Sequence, residues 1–215
     1  ICSLTPQALQ ELLPSDIFLV NKYRKKLEKL PHPSGAIVFY GAIKRIALPA
    51  NCPSHLQLSL KDPGPLFISI SREGDGRAPL GQATLIASVF SDTADWCILE
   101  KADYYKQKHI VLAKIVQKIE SWLSIDPVHW LHKELATPRS FEKWTGRPNG
   151  IVGGLGQHPR LFGPFGVSSR TPISGLWLCG DSIYPGEGTA GVSQSALMVC
   201  RQLMAKRGKD LRICR

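Results

Sequence analysis

The sequence lacks any CxxC pair and any histidine at finger spacing from a cysteine. Its six cysteines, Cys2, Cys52, Cys97, Cys179, Cys200 and Cys214, therefore spell neither a zinc site nor, at 215 residues, a disulfide scaffold, and a reducing compartment fits them best. No apolar run comes near the roughly 18 residues of a membrane span, and no charged stretch followed by an apolar leader opens the chain. Glycine (19) and proline (16) follow no period and mean hydropathy is −0.07, which excludes a collagen and a polytopic membrane protein. Acidic residues are scarce, 17 against 27 lysines and arginines, leaving a formal net charge of +10. What is present, 43% apolar and 20% charged residues, places the chain in the soluble globular class with one core or two small ones.

The basic excess gathers in two places: Lys22, Arg24, Lys25, Lys26 and Lys29 near the start, and Arg201, Lys206, Arg207, Lys209, Arg212 and Arg215 at the end. A basic face of this kind attracts nucleic acid or anionic lipid, or is simply solvated charge, and composition leaves the three open. Residues 5–30 read as two helical pieces divided at Pro14, the second capped by Ser15 or Asp16 and stopped by Pro31 and Pro33. Four β-rich runs follow, at 36–43, 55–60, 65–71 and 83–90, separated by Pro, Gly and Asp clusters, which predicts an antiparallel meander. The last run, ATLIASVF, is apolar on both faces and is expected to be covered twice. Residues 101–123 predict an amphipathic helix with Leu112, Ile115, Val116, Ile119, Trp122 and Leu123 in one stripe. A strand at 128–135 leads into residues 137–172, which show neither helical nor strand period, and a stretch of that kind and length usually carries function.

The chemistry concentrates in residues 175–203. A short buried strand, Leu176 to Cys179, delivers Gly180 and Asp181 at its carboxyl end, where ligands bind in open α/β sheets. A glycine-rich turn then opens a helix over 189–208 whose free N–H groups and positive dipole end suit an anionic or electron-rich ligand. Asp181, an acceptor when ionised, suits a sugar or ribityl hydroxyl better than a phosphate. Gly186, Gly188 and Gly191 spell GxGxxG, but Asp181 to Pro185 separate them from the strand and no second strand ends in an acid about 20 residues on, so the dinucleotide fingerprint is rejected. On glycine spacing alone a turn and helix cap without ligand stands equally open.

Leu176-Trp177-Leu178-Cys179-Gly180-Asp181-Ser182, followed by Pro185-Gly186-Glu187-Gly188-Thr189-Ala190-Gly191-Val192, resembles the C-terminal flavin motif of the bacterial-type phytoene desaturase and carotenoid isomerase family. The strings PSGAIVFYGAIKR, ATPRSFEKWTGRPNGIVGG and FGPFGVSSRTPISGLWLCGDS are similar to its carotenoid desaturases, in particular the cyanobacterial C-3',4' desaturases, and the likeness runs from about residue 5 to 205. The resemblance implies a mixed α/β, FAD-dependent oxidoreductase. It implies a substrate domain of antiparallel sheet and covering helices in residues 1–136, an active-site segment at 137–172, and the last strand, loop and helix of a Rossmann-like FAD domain at 173–215. No strand followed at once by GxGxxG stands near Ile1, so the expected polypeptide is a C-terminal part, inactive alone, whose partner is the N-terminal FAD-binding half.

By the same resemblance, Asp181 accepts a ribityl hydroxyl, and Gly180, Gly188, Thr189, Ala190 and Val192 turn backbone N–H groups toward the flavin. Trp144, Ile151, Phe162 and Phe165 would line a channel for the apolar carotenoid. Arg147 and Arg170 contact cofactor phosphate or make structural salt bridges. No general base announces itself, His158 reads as a solvated loop residue, and no metal is expected. The implied reaction is desaturation of a polyene, toward which the TPRSFEKWTGRP and PGEGTAG strings lean; cis–trans isomerisation within the family and a non-catalytic basic fragment are the alternatives. The basic clusters then imply an anionic membrane surface, and no nucleic acid, as partner, with the protein peripheral on the cytoplasmic side of a cyanobacterial or plastid-type membrane.

Overall fold

The computed structural model describes residues 1–14, 18–30, 34–155 and 166–209, so Ser15, Asp16, His158, Phe162 and Phe165 lie outside the described residues. The chain divides into two compact units, Ile1–Ser34 with Val152–Arg215, and Gly35–Ile151.

In the first unit α1 (Pro6–Leu12) begins where Thr5 Oγ1 accepts the Ala8 N–H at 3.3 Å with Pro6 opening the first turn, and α2 (Phe18–Glu28) follows. Leu9 and Leu13 join Val20 and Leu27 of α2 in a core completed by Leu178 and Ile183.

The second unit is built on a five-stranded antiparallel sheet in the order β2-β3-β4-β1-β5, comprising β1 (Gly35–Lys44), β2 (His55–Leu58), β3 (Leu66–Ile70), β4 (Gln82–Ser91) and β5 (Trp130–Ala136). The meander holds for β2, β3 and β4, but β1 lies between β4 and β5, pairing Gly35 with Ser91 through Lys44 with Gln82 on one side and Val38 with Ala136 on the other. After α3 (Ala94–Cys97), the long helix α4 (Lys101–Leu123) covers one face, where Ile37, Phe39, Ile43, Ile68, Leu85 and Leu135 share a core with Tyr104, Val111, Ile115, Ile119 and Leu123. The helix keeps its expected bounds but not its expected stripe, because Trp122 is exposed and Leu112 half-buried while Tyr104 and Val111 are buried. Buried positions step by four from Val111 to Leu123, and each step overshoots a full turn by about 40°. The buried face therefore drifts along the helix as it crosses a twisted sheet, and Trp122 falls off its edge.

Among the described residues β4 is covered once, not twice. Ala83, Leu85, Ala87 and Val89 are buried, whereas Ile86 and Phe90, on the opposite face with Tyr40 of β1 and Phe67 of β3, are exposed. An antiparallel sheet needs only one packed face, and among the described residues the helices that share this core are α4 and the short α3, through Trp96.

Residues 137–150 are ordered by local chemistry, contrary to the aperiodic reading. Thr137 and Ser140 form a reciprocal capping box, Pro138 opens α5 (Pro138–Thr145), and Gly146, in the left-handed region, ends it. Thr137 is fully buried, with its hydroxyl 2.9 Å from the Tyr104 hydroxyl. The Arg139 guanidinium lies 4.7 Å over the Tyr104 ring and donates to the Cys97 and Leu99 carbonyls. Gly150 packs so tightly that a Cβ there would overlap the Pro138 carbonyl.

Candidate functional site

The glycine-rich turn and the helix after it lie in the first unit. Residues 176–179 do not form a full strand; Trp177 bridges Arg170 antiparallel, Leu178 bridges Cys2 in parallel, and Leu178 alone of the four is fully buried. The Cys2 N–H donates to the Trp177 carbonyl at 2.7 Å and the Cys179 N–H to the Cys2 carbonyl at 3.0 Å. A ladder needs successive partners, and here each side supplies one bridge. The Thr171 hydroxyl, 2.8 Å from the Leu176 carbonyl, closes the turn between the two bridged segments.

Beyond Cys179 the backbone enters the left-handed region at Gly180 (φ 122°), Gly186 (φ 127°) and Gly188 (φ 83°), and α6 (Gly188–Lys206) begins. Side chains at those φ values are strained, which accounts for glycine at all three. Two further glycines make room for the chain itself, because a Cβ at Gly154 would overlap the Asp181 carbonyl and one at Gly191 the Gly186 carbonyl. Beside Gly186 and Gly188, by contrast, a Cβ would meet no atom of the described residues within 4 Å. Glu187, the residue before the helix, does not cap it; its carboxylate accepts the Gly154 N–H at 3.0 Å. Among the described residues, the opening of this 19-residue helix, at exposed Gly188, Thr189 and Ala190, thus carries no side-chain cap over its dipole and its N–H groups.

The structure brings Gly180, Asp181, Gly188, Thr189, Ala190 and Val192 into one turn and helix opening. Two of the expected N–H donors are engaged within the chain. The Gly180 N–H donates to Ser195 Oγ at 3.1 Å, and Val192, fifth in the helix, has its N–H in the intrahelical ladder. Asp181 is half-buried and accepts the Ser182 hydroxyl at 3.3 Å. Ser195, completely buried, is the residue the sequence reading missed: it ties the second turn of α6 to the segment carrying Asp181. Its signal was a polar residue on the otherwise apolar face that also carries Val199.

Trp144 and Ile151 belong to the other unit and to different environments. Trp144 is 79% exposed on α5 with the Lys143 ammonium 5.1 Å from its ring centre, while Ile151 is buried and bridges Gly35. Arg170 spends its guanidinium on the Trp177 ring, 5.7 Å away, and on Gln202 Oε1 at 3.3 Å. Burial, above all, holds the thiols of Cys52, Cys97 and Cys179 above the ordinary range, against an opposing pull on Cys179 from the N-terminal ammonium, so these thiols stay protonated and poorly nucleophilic at neutral pH. No helix among the described residues is long and apolar enough to cross a membrane.

No family model matches the chain. Curated proteins do. It is 33% identical over 158 residues to the chloroplastic prolycopene isomerase of Arabidopsis thaliana, covering 71% of this chain and 26% of that one. It is 32% identical over 157 residues to the chloroplastic prolycopene isomerase of Daucus carota, 68% of this chain and 24% of that one. The matched stretch fits the carotenoid desaturase and isomerase family. Prolycopene isomerase 2 of an Oncidium hybrid cultivar, also chloroplastic, is 30% identical over 152 residues. The chain spans about a quarter of the length of these family members. All three are named as isomerases, whereas the sequence strings lean to a desaturase.

Proposed function

We propose that this chain is part of an FAD-dependent enzyme acting on a carotenoid, and that residues 180–190 are its contribution to the flavin site. The observation that carries the reading is the opening of α6 beside Asp181, which Glu187 does not cap and where no described atom crowds Gly186 or Gly188, in a chain similar to prolycopene isomerases. These residues fit the ribityl and electron-rich edge of a flavin. Asp181 offers a carboxylate to a hydroxyl, and the N–H groups of Gly188, Thr189 and Ala190 offer partial positive charge to a ring edge that gains electron density. FAD, when bound, supplies the hydride acceptor for desaturation, or in its reduced form the electrons for isomerisation without net oxidation. The chain's own part is to orient and to polarise. Ser195 fixes the backbone at Gly180, the Glu187 carboxylate accepts the Gly154 N–H, and the helix dipole favours negative charge beyond it.

Desaturation remains the reading of the sequence strings, and isomerisation is favoured by the names of the relatives. A polyene with no polar handle along its length suits apolar walls, and the uncovered sheet face offers Tyr40, Phe67, Ile86 and Phe90 for one. Trp144, Phe162 and Phe165 remain proposed wall residues on the resemblance. The deciding experiment expresses the complete protein with carotenoid precursors and resolves the products by chromatography and mass. Loss of two hydrogens with a red-shifted spectrum assigns a desaturase, and an isomer of unchanged mass assigns an isomerase. No conversion of any polyene by a protein that retains FAD would refute the carotenoid reading.

A further inference from the structure

We infer that the cavity at the C-terminal end of α6 binds the phosphate of a small organic monoester, with Arg170, Gln202 and Lys206 for the phosphate oxygens and Trp177 beside its apolar body. The cavity measures about 350 Å³ and is built within the first unit, from the segment 170–177 and the end of α6. Gln202 and Lys206 stand at i and i+4, on one side of that helix. Chemistry fixes the orientation of the Gln202 amide. The Arg170 Nε–H and the Ser169 hydroxyl, at 3.3 and 3.1 Å, both donate to its Oε1, and because a guanidinium only donates, the amide oxygen has to face it. The Nε2 group therefore turns away from Arg170 Nε. Among the described residues no acceptor meets Gln202 Nε2, the Arg170 Nη groups or Lys206 Nζ, and no carboxylate lines the cavity.

A wall of donors without an acceptor calls for an acceptor-rich anion. Two positive charges and three donor groups match a phosphate monoester, which carries about −1.5 to −2 at neutral pH and three terminal oxygens, better than a carboxylate with one charge and two oxygens. The negative end of the α6 dipole works against an anion here. It amounts to about half a charge, and the Met204 and Ala205 carbonyls already accept from Arg207, Gly208 and Lys209, so the two cations outweigh it. Ile173, Leu176, Trp177 and Ala205 supply the apolar part of the wall, which inorganic phosphate would leave unused. The volume stands at the low end of the range for ligand sites, roughly 300–1,000 Å³, and so suits a small molecule. Gly188, at the proposed flavin position, is about 27 Å away along α6 at 1.5 Å per residue, and this inference does not depend on the flavin or polyene reading.

The test titrates the 215-residue chain with phenyl phosphate, inorganic phosphate and phenol by calorimetry, and follows by NMR the side-chain amide signals of Gln202, identified by their loss in Gln202→Glu. Phenyl phosphate should bind at one site and shift those signals. Its affinity should exceed by at least roughly tenfold that of inorganic phosphate, which lacks the ring, and that of phenol, which lacks the charge. Gln202→Glu keeps an acceptor for Ser169 and Arg170 but replaces the donor with negative charge, and should weaken binding by at least roughly tenfold. Lys206→Gln should weaken it by roughly tenfold. Arg201→Gln removes the same charge from a part of α6 outside the cavity and should stay within about twofold, with the fold of each variant checked by circular dichroism. Equal loss from Lys206→Gln and Arg201→Gln would reduce the effect to net charge and overturn the site. Phenyl phosphate that binds without moving the Gln202 signals, or shows no saturable binding up to about 10 mM, would overturn it as well. Inorganic phosphate binding as tightly as phenyl phosphate would overturn the apolar body of the ligand.

Discussion

Ser195→Ala isolates the bond that holds the candidate site in shape. Its hydroxyl is completely buried and accepts the Gly180 N–H at 3.1 Å, so the variant leaves that donor without a partner at the point where the backbone turns toward Asp181. Gly180 is half-buried, which puts the loss at the lower end of the usual range, about 1–2 kcal/mol. Alanine's higher helix propensity returns about 0.5 kcal/mol, for a net cost of about 1 kcal/mol. In a unit of roughly 100 residues that lowers Tm by about 4–8 °C. The assay is thermal unfolding of the chain followed by circular dichroism, with Ser193→Ala as control. Ser193 is exposed on the same helix, so its variant gains the propensity without losing the bond and should melt at or slightly above the parent. If Ser195→Ala melts with Ser193→Ala, the Gly180 bond contributes nothing and the positioning role given to Ser195 is wrong.

In the complete protein, Asp181→Ala should weaken FAD binding by roughly 5- to 150-fold, the cost of about 1–3 kcal/mol for an unpaired hydroxyl, with little change in which carotenoid is converted; flavin titration against product analysis checks it. Gly150→Ala should destabilise the sheet unit by at least about 3 kcal/mol in urea, because left-handed strain (φ 63°) adds to overlap with the Pro138 carbonyl. Gly74→Ala, equally left-handed (φ 73°) but in open space, should cost only about 1 kcal/mol. At low pH, Asp75 sets the sign of one linkage. Hydrogen bonds from the Arg77 side chain and then its backbone N–H, at 2.8 and 2.9 Å, bring its pKa down to about 2, so its contribution is present above its ordinary 3.8 and is lost as pH falls toward 2. Asp75→Asn should flatten acid unfolding in that window, measured as melting temperature against pH.

The strand positions were legible because alternation is local: Leu66, Ile68 and Ile70 face one way whatever their neighbours do. The place of β1 between β4 and β5 was not, since strand choice is settled by partners distant in sequence. ATLIASVF misled for a related reason. Ile86 and Phe90 are as apolar as Leu85 and Val89, and only the arrangement of α4 decides which set is covered. Residues 137–150 were legible in principle. Thr, Pro at the first helical position and a closing Gly bracket eight residues, but a helix whose apolar face is Phe141 and Trp144 is too short for its period to stand out.

The glycines of the candidate site show where sequence reasoning stops. Spacing announces that a side chain is absent and leaves open which of three uses the absence serves. Gly154 and Gly191 admit the chain's own carbonyls, whereas Gly186 and Gly188 permit a left-handed turn and face open space. Among the described residues only the second pair leaves room for a ligand, and neither pair differs from the other in the one-dimensional pattern. A motif of this kind is first a device for turning a chain from Gly180 into a helix and secondarily a cradle. The two uses separate by substitution: at Gly191, Ala must displace the Gly186 carbonyl and destabilise the folded chain. At Gly188, a D-alanine introduced by semisynthesis keeps the positive φ, leaves stability unchanged, and reduces FAD affinity in the complete protein only if the space beside it is where the cofactor lies.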